Sequence, residues 1–240
     1  MKTLLNTLIA TALLITSGTL FAASLTDNLY KGEETARKAN KTILKSVIAL
    51  DEIMEDPHNC IPPSLIDQSE GIVIFPGAFK LALGVAGGQG ARGIALVRLE
   101  NGLWSNPFFV SLGEGSIGLQ LGAQKSDIVL LFKDKNDIMG LDKTEITLGA
   151  DVGVAAGPLS QGASAATNFK FDSEIYSYSR SKGLFAGVSF KGGVLTYNES
   201  VNESLYGMAN INTDHIFYEV GSPYNDRVWD LIEVIEIYGN

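Results

Sequence analysis

The chain has 240 residues, 45% of them hydrophobic, with 18 Lys and Arg against 27 Asp and Glu for a net charge of −9. That is enough for one globular domain with a real core. Its acidity excludes binding of nucleic acid or anionic membrane through the overall field, so either contact would need a local basic patch.

Lys2, the uncharged and mostly apolar run 4–20 and the small residues Ala22, Ala23 and Ser24 read as an export signal over 1–23, cleaved after Ala22 or Ala23. The rival reading is a retained membrane anchor, for which Asn6, Thr7, Thr11, Thr16, Ser17, Gly18 and Thr19 make a poor span. Cleavage removes Lys2 and leaves 17 − 27, or −10, in a chain bound for the periplasm or beyond. No cysteine lies near the cleavage site, so lipoprotein processing is not expected. Cys60 is the single cysteine, which excludes an intramolecular disulfide and a Cys-based metal cluster. A buried, inert thiol is the expectation, with pairing between chains as the alternative.

Residues 24–56 predict an amphipathic helix. Ala36, Ala39, Ile43, Val47, Leu50 and Met54 fall on one face, with Arg37, Lys38, Lys41 and Lys45 toward the other. Thr26-Asp27 is a plausible start and Pro57 a stop, and Pro62-Pro63 marks a turn. From 71 to 197 the period changes to two. Phe79, Leu81, Leu83 and Val85 alternate with smaller residues, as do Ile117, Leu119, Leu121 and Ala123, and Leu184, Ala186, Val188 and Phe190. The clearest alternation is Ile146, Leu148, Ala150, Val152, Val154 and Ala156. Short loops between such strands favour antiparallel pairing. Gly84, Gly118, Gly122, Gly149, Gly153 and Gly187 keep phase opposite the large residues. They predict tight curvature or a closely packed helix, the alternative being a flat surface for lipid chains. Val228, Leu231, Ile232, Ile235 and Tyr238 return to helical spacing.

The fold class expected is α+β: a mainly antiparallel, strongly curved or barrel-like sheet with an N-terminal amphipathic helix and a C-terminal helix packed on it. In domain terms, 24–60 is the N-terminal helix, 61–206 the core and 207–240 a helical extension. An outer-membrane barrel is a rival that the charged terminal helices oppose.

Charge is segregated. No acid lies between Glu70 and Glu100, where Lys80, Arg92 and Arg98 occur, or between Glu174 and Glu199, where Arg180, Lys182 and Lys191 occur. From Glu199 onward eight acids face Arg227 alone. Such runs are either solvated faces or, if the six cations converge, a seat for phospholipid headgroups.

Catalytic patterns are weak. Gly88-Gln89-Gly90-Ala91-Arg92-Gly93 matches G-x-G-x-x-G, but a strand over 94–99 rather than a helix follows, so a glycine-rich hairpin is expected. Ser179 to Lys182 matches S-x-x-K without its companion motifs. His58 and His215 lack metal spacing, and Asp151, the one acid expected to be half-buried on a strand, has no partner.

The strings GIVIFP at 71–76, the segment 84–98, GLWSNPF at 102–108, GSIGLQLGAQ at 115–124 with Asp127, LGADV at 148–152 with AGP at 156–158, and YSRSKGLFAGV at 178–188 together resemble a SYLF domain. The match runs in order from about 61 to 206. The resemblance implies a lipid-binding module with no enzyme activity and no cofactor. Eukaryotic members are associated with phosphoinositide membranes and, in yeast, with actin; bacterial relatives commonly carry an export signal. Family lipid contact is attributed to basic residues and an N-terminal amphipathic segment. Carried onto this chain, that implies Lys80, Arg92, Arg98, Arg180 and Lys182, with Arg37, Lys38, Lys41 and Lys45 on the helix. Phe190-Lys191-Gly192 departs from the acidic-Gly ending of the family and adds Lys191 to the set. Phospholipid is the expected partner, envelope proteins a second, and actin and phosphoinositides are not expected for an exported bacterial protein.

Overall fold

A computed structural model describes residues 30–56, 60–160, 171–181, 184–187, 192–221 and 223–239, with the backbone alone for 81–86, 116–122 and 184–187. The export signal, His58, Lys182 and Lys191 lie outside the described residues or side chains.

Helix α1 runs over 30–54 and buries Ala39, Ile43, Ser46, Ala49, Leu50, Ile53 and Met54. That stripe extends the predicted one, in which Ala36 and Val47 are only half-buried at its margin. Pro62-Pro63 begins a short helix, α2 (Pro63–Gln68), rather than a simple turn. Proline suits the first helical position because its missing N–H would have no partner there.

Two very long strands follow, β1 (Gly71–Val97) and β2 (Phe108–Phe132), paired antiparallel from Gly71↔Phe132 to Ala95↔Phe108. Both ends of this ribbon are buried: Ile72–Phe75 and Ile94–Val97 on β1, Phe108–Val110 and Ile128–Phe132 on β2. The ribbon therefore leaves the core, curls and returns to it. The curl requires one glycine in particular, since a Cβ on Gly93 would overlap the carbonyl of Ile74 and the ring of Phe75. A side chain at 93 would hold the two ends of β1 apart. The G-x-G-x-x-G segment thus lies inside β1, with Gly88 opposite Gly115 and Gly90 opposite Gly113, and not in a hairpin as expected. Of its glycines Gly93 serves close backbone approach while Gly90 faces open space, and the turn comes later, at Gly102 (φ 82), beyond Val97.

The second edge of β2 is shared. Residues 127–132 pair with β5 (Ile175–Ser181), and 110–113 with β7 (Val194–Tyr197). Strand β6 (Leu184–Gly187) pairs with β5, β3 (Ile146–Thr147) with β7, and β4 (Val154–Ala156) with β5. The result is a curled, mostly antiparallel sheet of seven strands.

The strand expected over 146–156 is a correction. It breaks into β3 and β4 at a turn in which Gly149 takes φ 80 and its N–H donates to Val152 O at 2.8 Å. Asp151, expected to be half-buried, is exposed and its carboxylate accepts the Thr147 N–H at 2.7 Å. Left-handed φ suits glycine, and an Asx-type bond closes the turn, so the alternation of residue types survives where the strand does not. Strand β4, which re-enters the sheet after that turn, lies parallel to β5 within the mainly antiparallel sheet expected.

Helix α3 (Asn136–Met139) and helix α4 (Glu199–Tyr206), which ends at left-handed Gly207 (φ 66), precede a π-helical turn at His215–Glu219. Helix α5 (Asp226–Gly239) closes the fold by burying Val228, Leu231 and Ile235. Three such side chains contribute roughly 5–9 kcal/mol of gross hydrophobic stabilisation. Helices α1 and α5 lie side by side and parallel: Asn225 Nδ2 donates to Asn40 Oδ1 at 3.4 Å near their first halves, and Tyr238 OH to Asp51 Oδ1 at 2.9 Å near their ends. The fold is the expected α+β class with a strongly curved sheet and terminal helices packed on it. The buried core is apolar, whereas the lumen of an outer-membrane barrel is polar.

Candidate functional site

Between its buried ends the β1–β2 ribbon is half-buried to exposed at 87–92 and 123–127. Among the described residues, 114–126 of β2 pair with β1 alone. Its base is built by a bulge. Pro76 cannot donate to the ladder, the register shifts between Phe75 and Ala78, and Gly77 takes φ 72. The Gly77 N–H then donates to Asp127 Oδ1 at 2.7 Å, so a carboxylate replaces the missing ladder acceptor.

Charges gather around that carboxylate. Burial pushes the Asp127 carboxyl above its ordinary range, the Gly77 bond opposes this, Glu52 adds to the rise, and Arg180 and Lys45 pull it down. Arg180 stands opposite Asp127 in the β2–β5 register and is ion-paired with Glu52 of α1. Lys45 and Glu52, seven residues apart and so on one side of α1, place that side over the ribbon base. Just beyond the bulge, Phe79 is 43% exposed and stands opposite Lys125, itself exposed. Lys80 stands opposite Gln124 on the other face, and Gln124 Nε2 donates to Ser181 Oγ at 3.1 Å. The register continues outward through Leu81↔Ala123 and Leu83↔Leu121.

The predicted cations are only partly brought together. Lys80, Arg180 and Lys45 share the ribbon base. Arg92, exposed and opposite Ser111, borders a shallow depression of about 320 Å³ on a different part of the ribbon. Arg98 donates to Ser69 O at 3.4 Å, Gly102 O at 3.1 Å and Asp67 O at 3.4 Å, and its guanidinium lies 4.6 Å from the Trp104 ring centre. Those bonds hold the β1–β2 turn against α2. Arg37, Lys38, Lys41 and Lys45 are exposed along α1, and Lys38 pairs with Glu34 at 2.8 Å. Sequence reading missed Phe79 and Lys125. Lys125 sits two residues from Asp127, outside any acid-free stretch, and only the register sets it opposite an exposed aromatic.

Elsewhere the geometry offers little chemistry. Among the described residues no group of three or more His, Cys, Asp or Glu could hold a metal ion, and no helix is long and apolar enough to cross a membrane. Ser179 and Ser181 lie within β5, and His215 Nε2 is 3.7 Å from Glu219 in the π-helical turn. A cleft of about 390 Å³ between Asp142, Glu145, Tyr197 and Asn212 is polar and acidic. Cys60 is buried, with its Sγ 2.9 Å from Ser160 Oγ.

A family model described as Ysc84, Las17-binding protein actin regulator, matches residues 113–238. Among curated proteins, the SH3 domain-containing protein PJ696.02 of Schizosaccharomyces pombe is 36% identical over 149 residues, covering 61% of this chain and 34% of that protein. SH3 domain-containing YSC84-like protein 1 of Xenopus laevis is 29% identical over 205 residues, 85% of this chain and 59% of that protein. Protein YSC84 of Saccharomyces cerevisiae is 30% identical over 174 residues, 71% of this chain and 36% of that protein. The chain therefore spans between about a third and three-fifths of the length of these relatives.

Proposed function

We propose, from the premise that this chain belongs to the Ysc84 family, the family its SYLF motifs resemble, that it is a non-catalytic module docking on anionic phospholipid surfaces. The single observation carrying this reading is Phe79, an exposed aromatic opposite Lys125, next to Lys80 and close to the Lys45–Asp127–Arg180 cluster. An exposed apolar side chain with one lysine opposite it and another beside it on the opposite face of the strand suits a headgroup layer, where the ring reaches acyl chains and each ammonium gains about 1 kcal/mol. Arg98 is assigned no lipid role, because its donors are committed to backbone carbonyls. The compartment proposed is the periplasm, after cleavage near Ala22 or Ala23, which N-terminal sequencing of the exported product checks.

Co-sedimentation with phosphatidylglycerol vesicles at low salt tests the reading. Lys80→Ala with Lys125→Ala should weaken binding roughly thirtyfold, from about 1 kcal/mol per cation. Phe79→Ala should weaken it at all salt concentrations, and Arg98→Lys should leave it unchanged. A wild-type chain that stays in the supernatant sinks the proposal.

A second reading, a protein-interaction module, is favoured by the family description and by the acidic α5, which carries Asp226, Asp230, Glu233 and Glu236. The description speaks of Las17 binding and actin regulation, so the expectation that sets actin aside finds no support in the relatives. Filamentous actin belongs in the same assay: pelleting with actin and not with vesicles would favour this reading.

A further inference from the structure

The outer faces of α1 and α5 form one continuous two-helix surface, because the helices run parallel with Asn40 level with Asn225 and Asp51 level with Tyr238. On α1 this surface carries Arg37 and Lys41 around Leu44 and Ile48, 39% and 47% exposed. On α5 it carries Asp226, Asp230 and Glu233 around Trp229 and Ile237, 55% and 62% exposed. The α1 half is basic at Arg37 and Lys41 and turns acidic at Asp51 and Glu52 near its end, the α5 half is acidic apart from Arg227, and each has apolar side chains at its centre. A surface so divided is complementary to itself.

We propose that a second copy of this chain docks on this surface through a two-fold axis running along the helices. Such an axis preserves the level of each residue and lays α1 of each copy on α5 of the other. Lys41 then meets Asp226 and Asp230, Leu44 meets Trp229, and Ile48 falls between Glu233 and Ile237. An axis across the helices would instead set α1 on α1, cation against cation. With 14 residues in α5, about 21 Å long at 1.5 Å per residue, the face measures roughly 20 Å on a side. That is small for a specific interface, so the dimer is reversible, with a dissociation constant on the order of 10 µM. The inference does not rest on the membrane reading, since Phe79, Lys80 and Lys125 take no part in the contact.

Sedimentation velocity of the full chain across about 1–200 µM should show a monomer–dimer shift that weakens with salt. Arg37→Glu/Lys41→Glu and Asp226→Lys/Asp230→Lys should each raise the dissociation constant at least tenfold, with native circular dichroism. Mixing the two variants is decisive. In the mixed dimer one contact joins two reversed halves and the other joins two native halves, so association returns to the wild-type level. Changes confined within one subunit would not be repaired by mixing. A wild-type chain monomeric throughout, or folded variants that fail to associate when mixed, overturns the proposal. If the reversals unfold the chain, Trp229→Ala must weaken association tenfold, and an unchanged constant overturns it.

Discussion

Gly93 rests against the carbonyl oxygen of Ile74, so the two ends of a single strand touch each other and the β1–β2 ribbon is locked in its curl. The contact is backbone to backbone, and no rotamer change can relieve a methyl placed between them. Gly93→Ala should destabilise the fold by about 3 kcal/mol, as overpacking of a rigid site does. Gly90, with open space where its Cβ would be, is the control and should change stability by less than about 0.5 kcal/mol. Urea unfolding of the two variants checks this; equal midpoints would show that the ribbon can open without cost.

Asn202, fully buried on α4, acts as a strand partner for Phe109. Its Oδ1 accepts the Phe109 N–H at 2.7 Å and its Nδ2 donates to Phe109 O at 3.2 Å. Asn202→Ala leaves the Phe109 N–H buried without that bond, at about 1–3 kcal/mol, while Phe109 O keeps the Asn198 N–H at 2.9 Å. Asn202→Asp keeps the acceptor and loses the donor. The expected order of thermal midpoints is wild type above both variants, with loss of the 199–206 helix packing visible in near-ultraviolet circular dichroism. A midpoint for Asn202→Ala within a degree of wild type contradicts this account.

Four phenols set an alkaline limit. Burial pushes Tyr178, Tyr197 and Tyr206 well above the ordinary tyrosine range, and burial with the Asp51 bond pushes Tyr238 up to about 12. In the unfolded chain these groups ionise near pH 10. The folded chain holds its protons longer, so their contribution is intact below about pH 10 and is lost as pH rises beyond it. Urea midpoints should be flat in this respect from pH 8 to about 9.5 and fall steeply by pH 11, while phenolate absorbance from the four appears only with unfolding. Stability unchanged to pH 11.5 would mean these tyrosines ionise alike in both states. Tyr206, whose hydroxyl donates to Pro107 O at 2.5 Å, is the position where substitution by Phe should blunt the fall most.

The terminal helices and the long strands were legible because burial on one side writes period into sequence, as Ile43 and Leu50 do for α1 and Val228, Leu231 and Ile235 for α5. The SYLF strings were legible for a related reason: several are packing constraints. Gly157 fits under the Tyr178 ring, where a Cβ would overlap it; Asn106 Nδ2 donates to Gly221 O at 3.1 Å; and Trp104 carries the Arg98 guanidinium. What failed was pairing. Alternation from Ile146 to Ala156 continues straight through a turn, because the pattern records residue type and not φ at Gly149. The two acid-free stretches marked six cations without saying which share a place. Register decides that, and it set Phe79 opposite Lys125 while Arg98 went to the carbonyls of 67, 69 and 102.

The side-by-side placement of α1 and α5 also governs the order in which the protein can be completed. A ribosome makes the stripe of Ala39, Ile43 and Leu50 well before the helix that lies beside it. Until α5 emerges, α1 lacks that neighbour and the side of α2 that meets Gly239 stands open. Chains lacking the 14 residues of α5 therefore leave apolar surface of α1 and α2 uncovered, where it can bind chaperones or other copies. Co-translational completion of this fold waits on α5.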